Sequence, residues 1–280
     1  TGYLDLFINR MDRLNVLEAF FRTDLVNGLS CEATARSGQL QLQNNVNMVV
    51  ETNDVRLFHE IMQFEELELG LRWSFREKIF QMPDRRLVVG TPFPVVSLNA
   101  IVGKTEFYTE PYKRIALQVD YTLKTALAGN MSVRMSAGQV SGPAPSFRFF
   151  SLRGSGVDWS VATPFGFETL RPGTMLPTRF AAFHFRYNLR DLLFKSEKFA
   201  PQPVIVHNMA VGEFQPENTF SSLVVSAPNK GYFESGLALQ SVMKSGFSGI
   251  GVGAFYHYGP LSSPYVKDNF TYKLTIGFTF

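Results

Sequence analysis

Residues 270–280 read FTYKLTIGFTF, and large apolar side chains occupy every second position of this stretch. Threonine, lysine and glycine fill the positions between them. Successive side chains of a β-strand point to opposite faces of the sheet, so the stretch predicts a strand with one apolar face and one polar face. In a transmembrane barrel, the apolar face of such a strand contacts lipid and the polar face lines the lumen.

The same alternation recurs along the chain, for example in FEELELGLRWSFR (64–76), YKRIALQVDYTLK (112–124) and RFAAFHFRYNL (179–189). A period of two over most of the chain predicts an all-β protein. Each predicted strand is near or above the length that a tilted strand needs to cross a bilayer. The twelve predicted strands are 14–25, 31–42, 46–58, 65–78, 88–103, 113–125, 130–140, 179–189, 203–213, 231–241, 248–258 and 269–280.

The sequence therefore predicts an antiparallel transmembrane β-barrel of the outer-membrane type, in which the last strand pairs with the first and leaves no exposed edge. Residues 3–9 (YLDLFIN) are a candidate thirteenth strand. Because bacterial barrels contain even numbers of strands, a thirteenth strand would imply a fourteenth further upstream.

Composition agrees with this class and excludes others. The 280 residues include 27 Phe and 10 Tyr but form no apolar run long enough for a membrane-spanning helix. A barrel carries its hydrophobicity in alternation, which agrees with a mean hydropathy of −0.01. The single cysteine, Cys31, excludes an intrachain disulfide framework, and a dispersed net charge of +3 gives no reason to expect nucleic acid as a partner.

Connection lengths predict the orientation of the barrel, because such barrels have short periplasmic turns and long outer loops, with a periplasmic C-terminus. The long Gly/Pro-rich stretch 141–178 is predicted to be extracellular and is a candidate for a constriction or an outer binding surface. The other predicted outer connections are 26–30, 59–64, 104–112, 214–230 and 259–268. The predicted inner connections are 43–45, 79–87, 126–129, 190–202 and 242–247.

Several blocks of the sequence resemble one family of barrels. These blocks are FEELELGLRWSFREKIFQ, FPVVSLNAIVG, NLRDLLFKSEKFAPQPVIVHNMAVG, NKGYFESGLALQSVM, GIGVGAFYHYGP and KDNFTYKLTIGFTF. They are similar to outer-membrane proteins that carry a carboxypeptidase-regulatory-like domain ahead of a C-terminal β-barrel. The resemblance covers roughly residues 60–280 in patches. It implies that residues 1–280 form the barrel domain in a Gram-negative-type outer membrane, and we expect the N-terminal periplasmic domain to lie outside this chain.

The final strand also resembles the signal that the outer-membrane insertion machinery reads during biogenesis. This resemblance implies two partners, the lipid of the outer membrane and that machinery. The residues that carry the signal are Tyr272, Leu274, Ile276, Phe278 and Phe280.

No pattern in the sequence predicts catalysis, a cofactor or a metal site. The four histidines, His59, His184, His207 and His257, occur in no metal-ligand spacing. Serine is frequent, but no GxSxG motif is present to suggest a serine hydrolase. We therefore expect a protein that is not an enzyme.

The polar positions of the strands predict a lumen that carries both signs of charge. Such side chains either form the salt-bridged filling of a narrow barrel or line an aqueous path. Two functions stay open on the sequence: a channel or transport barrel, and a non-conducting structural or accessory barrel that docks with other envelope proteins in a larger outer-membrane complex. The candidate lumen-lining residues are Glu66, Glu68, Arg72, Arg114, Asp120, Arg134, His184, Arg186 and Glu234.

Overall fold

A computed structural model describes the chain from residue 13 to residue 278 with internal gaps. The described ranges are 13–42, 47–52, 55–81, 86–125, 129–155, 160–190, 196, 199–216, 219–221, 226–245 and 248–278. Residues 3–9, which hold the candidate thirteenth strand, lie outside the described residues.

The described residues form seventeen strands and two 3₁₀ turns, Ser146–Arg148 and Val266–Asn269. The all-β prediction is confirmed. The strands are β1 (Arg13–Val26), β2 (Leu29–Gln41), β3 (Asn47–Thr52), β4 (Val55–His59), β5 (Ile61–Ser74), β6 (Lys78–Gln81), β7 (Arg86–Gly90), β8 (Val95–Thr105), β9 (Tyr108–Thr125), β10 (Gly129–Ser141), β11 (Ser160–Val161), β12 (Arg179–Asn188), β13 (Gln202–Glu213), β14 (Thr219–Ser221), β15 (Tyr232–Ser245), β16 (Ser248–Tyr258) and β17 (Phe270–Phe278).

Eleven antiparallel strands form the main sheet, in the order β1-β2-β5-β8-β9-β10-β12-β13-β15-β16-β17. Each of these eleven strands pairs with the one that follows it in this order, as in an up-and-down meander. The two-residue strand β11 adds to the edge of β17 in parallel, with Val161 opposite Leu274. Among the described residues, β1 and β17 do not pair with each other, so the main sheet is open.

The predicted wall strand at 46–58 is wrong. This stretch forms the hairpin β3–β4, which belongs to a separate three-stranded sheet with β14. As a result β2 pairs directly with β5, and the main sheet has eleven antiparallel strands rather than the twelve predicted. With eleven strands, the β1–β2 connection lies at the same end of the sheet as the β9–β10 connection, and the β2–β5 connection lies at the same end as the β10–β12 connection. The prediction that 26–30 lies on the side of 141–178, and 43–45 on the opposite side, is therefore wrong.

Other boundaries also differ from the prediction. The predicted strand 65–78 ends at Ser74, β6 and β7 lie partly in the predicted connection 79–87, and β15 continues to Ser245 into the predicted connection 242–247.

The predicted strand 88–103 is divided into β7 and β8, which belong to different sheets. Residues 61–64, predicted to be loop, start β5. The predicted loop 104–112 shortens to a turn at 106–107, because β8 and β9 continue to Thr105 and from Tyr108.

The main sheet has a covered face and an open face. In β5, Met62, Phe64 and Glu66 are buried on the covered face, whereas Leu67 and Leu69 on the open face are 68% and 45% exposed. The alternation of buried and exposed residues repeats in β13 and β17. The period-two pattern of the sequence therefore corresponds to two chemically different faces.

Residues 142–155 and 160–178 lie over the covered face. We call residues 142–178 the inserted segment. Its buried side chains enter two of the apolar clusters, one with Phe149 and Phe150 against Ile101 and Tyr112, and one around Phe167. Backbone hydrogen bonds also join it to the sheet, for example from Ala162 N to Leu274 O at 2.8 Å. Among the described residues, no helix is long and apolar enough to cross a membrane.

Gly251 of β16 lies near the irregular pairing of β15 with β16, and a substitution there tests how tightly the sheet packs. A Cβ atom at Gly251 would lie 1.9 Å from the carbonyl oxygen of Leu239 and 2.6 Å from Thr275 Oγ1. We expect Gly251→Ala to lower the free energy of unfolding by roughly 1–3 kcal/mol, because the backbone must shift to admit the methyl group. The temperature at which the purified protein unfolds in detergent measures the effect.

Gly70→Ala is the matched control, because a Cβ atom there would meet its nearest neighbour, Glu32, at 3.8 Å, an ordinary contact. Equal unfolding temperatures for the two variants would show that the packing around Gly251 is looser than described.

Candidate functional site

The first polar cluster joins the inserted segment to β5 and β9. Arg148 Nε donates to Glu66 Oε1 at 2.6 Å, and a second nitrogen of Arg148 contacts Glu66 Oε2. The hydroxyl of the buried Tyr112 also donates to Glu66. The guanidinium of Arg148 lies 4.7 Å from the ring centroid of Phe147, which itself packs on Phe64. We call Glu66, Tyr112 and Arg148 the Glu66 cluster.

The second polar cluster joins the other half of the inserted segment to β13 and β15. Glu234, fully buried, accepts hydrogen bonds from the backbone N–H and the hydroxyl of Thr169, both at 2.6 Å, and from Asn208 Nδ2 at 2.8 Å. Asn208 Nδ2 also donates to the carbonyl oxygen of Gly166, and His184 Nδ1 lies 2.9 Å from Asn208 Oδ1. We call Glu234, Asn208, Thr169 and His184 the Glu234 cluster.

Other charged residues on the covered face form ion pairs with residues of neighbouring strands. Arg36 bridges Glu18 and Glu68, which also accepts from Asn99. Arg134 Nε lies 2.5 Å from Asp120 Oδ1.

Arg72 forms a two-nitrogen contact with Glu77, at 2.5 and 3.0 Å. The hydrogen bonds from Arg72 lower the pKa of Glu77, which lies in the turn after β5. Bidentate contacts of this kind are among the stronger ion pairs.

The nine candidate lumen-lining residues all lie on the covered face, as the pairing registers of β5, β8, β9, β10, β12, β13 and β15 require. The structure brings Glu66 and Arg114 close to the inserted segment at one place, and His184 and Glu234 at another. Arg186 lines a small space beside Glu168. Whether this face is the lumen of a barrel stays a prediction.

The site includes residues that the sequence did not single out. Arg148, Glu168 and Thr169 lie in the inserted segment, where no periodicity marks a side chain as buried. Asn208 and Lys273 lie at covered-face positions of predicted strands, so alternation was a signal that could have found them.

The predicted assembly-signal residues lie on the open side of the last strand as far as they are described. Tyr272 and Leu274 are 53% and 41% exposed. Ile276 and Phe278 are described by their backbone within β17, and Phe280 lies outside the described residues.

The other histidines have structural contacts. His257 stacks on Tyr232 with ring centroids 4.0 Å apart. On the open face, His207 Nδ1 lies 3.0 Å from Ser235 Oγ, and no carboxylate takes part in this contact. In the described part of the chain, no group of three or more His, Cys, Asp or Glu residues is placed to hold a metal ion.

Comparison of the sequence with protein-family models and with curated proteins gave no match. The resemblance to barrels with a carboxypeptidase-regulatory-like domain therefore stays a hypothesis.

Glu168 is a buried titratable group through which the inserted segment can respond to pH. Its side chain is 3% exposed, accepts from Thr163 N at 2.7 Å and contacts Ser155 Oγ. The pKa of Glu168 is raised from 4.5 to about 7, mainly by burial and also by the charge of Glu234, while hydrogen bonds from Ser155 and Thr163 and the charge of Lys273 oppose the shift. The protonated form is thus favoured in the folded state.

The raised pKa predicts that the inserted segment is held less tightly at high pH. A carboxyl group whose pKa is raised on folding stabilises the fold fully below its unfolded pKa, and this contribution is lost as the pH rises through the folded pKa of about 7. The loss is of order 3 kcal/mol at most. We expect hydrogen exchange in residues 142–178, corrected for intrinsic rates, to be faster at pH 8 than at pH 5.

Glu168→Gln should remove most of this difference, because the amide does not ionise. Glu65→Gln serves as the control, since the Glu65 side chain is 61% exposed and lies on the open face. The same pH dependence in the wild type and in Glu168→Gln would refute the role of Glu168.

Proposed function

We propose that the chain is an integral outer-membrane β-barrel of a Gram-negative-type envelope, of the channel or transport class, with the inserted segment inside its lumen. The observation that carries the proposal is the chemical contrast between the two faces of the main sheet. A soluble sheet places its apolar face against a core. Here the open face is apolar, whereas the face on which the inserted segment packs carries buried charged residues, such as Glu66 and Glu234, among its apolar ones.

The open face resembles the lipid-contacting surface of a barrel. Large apolar side chains are exposed on nine of the eleven strands of the main sheet, all except β2 and β12, and they form a surface far larger than the isolated patches of soluble monomers. Members of this surface at 40% exposure or more include Leu17, Phe21, Leu67, Leu69, Ile115, Leu117, Met135, Ile205, Val211, Leu237, Ile250, Val252 and Leu274.

The two ends of the open face differ in a way that suits a bilayer. Charged residues gather at the end that carries the long connections, where Lys104 lies 3.0 Å from Glu65 and Arg179 lies 3.8 Å from Glu213. Trp73 is exposed near the opposite end, where β5 gives way to the connection 75–94. Charged rims and aromatic side chains at membrane interfaces are features of outer-membrane barrels.

Curvature of the sheet supports closure. The inserted segment contacts β5 through Arg148 and β17 through Ser160 and Val161, twelve residues further along the chain. These strands occupy the third and eleventh positions of the sheet order, which in a flat sheet would be roughly 38 Å apart. Only a nearly fully extended chain would span that distance, whereas this stretch begins in a 3₁₀ turn. A sheet curled around the segment accounts for both contacts.

The membrane location predicts that a charge in the middle of the open face is costly. Leu117 lies near the middle of β9 and is 43% exposed. We expect Leu117→Arg to cost roughly 2–4 kcal/mol of stability in lipid, the cost of a cation near the bilayer midplane. Urea unfolding of the protein folded into vesicles measures this difference.

Thr109→Arg is the matched control, because Thr109 lies on the same face of the same strand at its end. Equal stability losses for the two variants would contradict the proposed lipid contact.

The transport class also predicts that the Glu66 cluster restrains conduction. In Arg148→Met the buried Glu66 loses its cation, so the inserted segment should detach more often. We expect larger or longer ionic currents through this variant than through the wild type in planar bilayers.

Arg171→Met, which changes an exposed arginine of the same segment, should behave like the wild type. The Arg148–Glu66 ion pair also suits the second candidate, a non-conducting structural or accessory barrel whose lumen is permanently filled. Absence of current from Arg148→Met in protein that has inserted into the bilayer would favour that candidate.

A further inference from the structure

A cavity of about 490 Å³ lies between the inserted segment and the covered face of β8, β9, β10 and β12. Phe150, Phe165 and Phe167 of the inserted segment form much of its apolar wall. Its charged lining consists of Arg114, Arg134, Arg153 and a single carboxylate, that of Glu68. This volume is in the range of cavities that bind small organic molecules.

The cavity is lined by more positively charged side chains than negatively charged ones. Glu68 pairs with Arg36, and Arg134 pairs with Asp120. Two arginines remain. Arg114, half-buried, donates at 3.1 Å to Asn99 Oδ1 and at 3.1 Å to the carbonyl oxygen of Arg148, both neutral acceptors. The side chain of Arg153 forms no hydrogen bond or ion pair within the part of the chain that the structure describes.

Ring contacts limit how these arginines can move. The guanidinium of Arg114 lies 4.3 Å from the ring centroid of Phe150, and that of Arg134 lies 4.4 Å from the ring centroid of Phe165. A guanidinium that rests on a ring can still direct its N–H groups at a ligand in the plane of the fork. A partly desolvated cation whose acceptors are all neutral is stabilised by an anion.

We propose that this cavity binds a small organic anion with an apolar or aromatic body. Its carboxylate or equivalent oxyanion pairs with Arg114 and Arg153, and its body packs against the phenylalanine wall. The inference deepens the proposed transport function, on which its biological meaning rests, by naming the class of solute. Guanidinium forks match carboxylate geometry, which favours an oxyanion over a halide.

The test uses the whole folded protein in a neutral detergent and two probes of nearly equal size, 2-naphthoate and its neutral counterpart 2-naphthylmethanol. Isothermal titration calorimetry, with titration into protein-free micelles subtracted, measures both affinities. We expect saturable binding of 2-naphthoate and at least roughly tenfold weaker binding of the alcohol, because a charge-assisted hydrogen bond is lost.

Arg153→Gln should weaken the binding of 2-naphthoate by roughly tenfold and leave the fold intact, since the Arg153 side chain is exposed. Arg114→Gln should weaken it at least as much, if the variant folds. Arg171→Gln, an exposed arginine of the same segment outside the cavity, should have no effect.

Three results would overturn the proposal: no saturable binding of 2-naphthoate to the wild type, equal affinities for the acid and the alcohol, or equal effects of Arg153→Gln and Arg171→Gln. Current through the same preparation in planar bilayers is recorded separately. A protein that conducts without binding 2-naphthoate refutes the solute class alone, and a protein that binds it without conducting refutes the transport class alone.

Discussion

Glu66 is a buried carboxylate in the third strand of the main sheet, and the way it is compensated constrains the rest of the structure. A buried charge is tolerated only where it is paired and hydrogen-bonded. Arg148 and Tyr112 meet this requirement together, and Arg148 reaches Glu66 only because residues 142–178 pass over the covered face. The sheet and the inserted segment therefore pack as one unit. The buried polar residues of the strands find their partners in a segment that is distant in sequence.

The two polar clusters hold the inserted segment by different chemistry. At the Glu66 cluster an arginine pairs with a carboxylate. At the Glu234 cluster the carboxylate accepts from neutral donors, those of Thr169, Asn208 and the backbone of Glu168, and the carboxyl group of Glu168 lies close enough for the two charges to interact. Conditions that ionise Glu168 therefore act on the half of the segment near β13, β15 and β17, while the half near β5 and β9 keeps its ion pair. This difference in chemistry allows one half to loosen before the other.

Local periodicity was sufficient to predict the strands and the two faces of the sheet, because side-chain direction in a strand follows directly from residue parity. It failed at 46–58, where a hairpin and a long strand share the same alternation and only Asn53 and Asp54 mark a turn. Pro92 and Pro94 likewise mark the break between β7 and β8.

The contacts of the Glu66 and Glu234 clusters could not be predicted from periodicity, because several of their members lie in a stretch of sequence without alternation. A covered position can be predicted from parity, whereas the identity of the group that covers it depends on tertiary contacts. The nine charged and polar positions were therefore predictable as one face, and their pairing was not.

The distribution of charge on the covered face favours transport over a purely structural filling. Where the inserted segment packs closely on β5, Arg148 supplies a matched cation for Glu66, and Asp120 of β9 pairs with Arg134. Where the segment stands away from the sheet and leaves the cavity, Arg114 and Arg153 have no carboxylate of their own. Arg153 is exposed, but Arg114 is half-buried against Phe150. A filling that served stability alone would place such a cation in solvent or replace it with an apolar residue, since an unpaired charge near a low-dielectric wall costs free energy. Retention of Arg114 at this cavity is the arrangement expected when a solute supplies the missing anion.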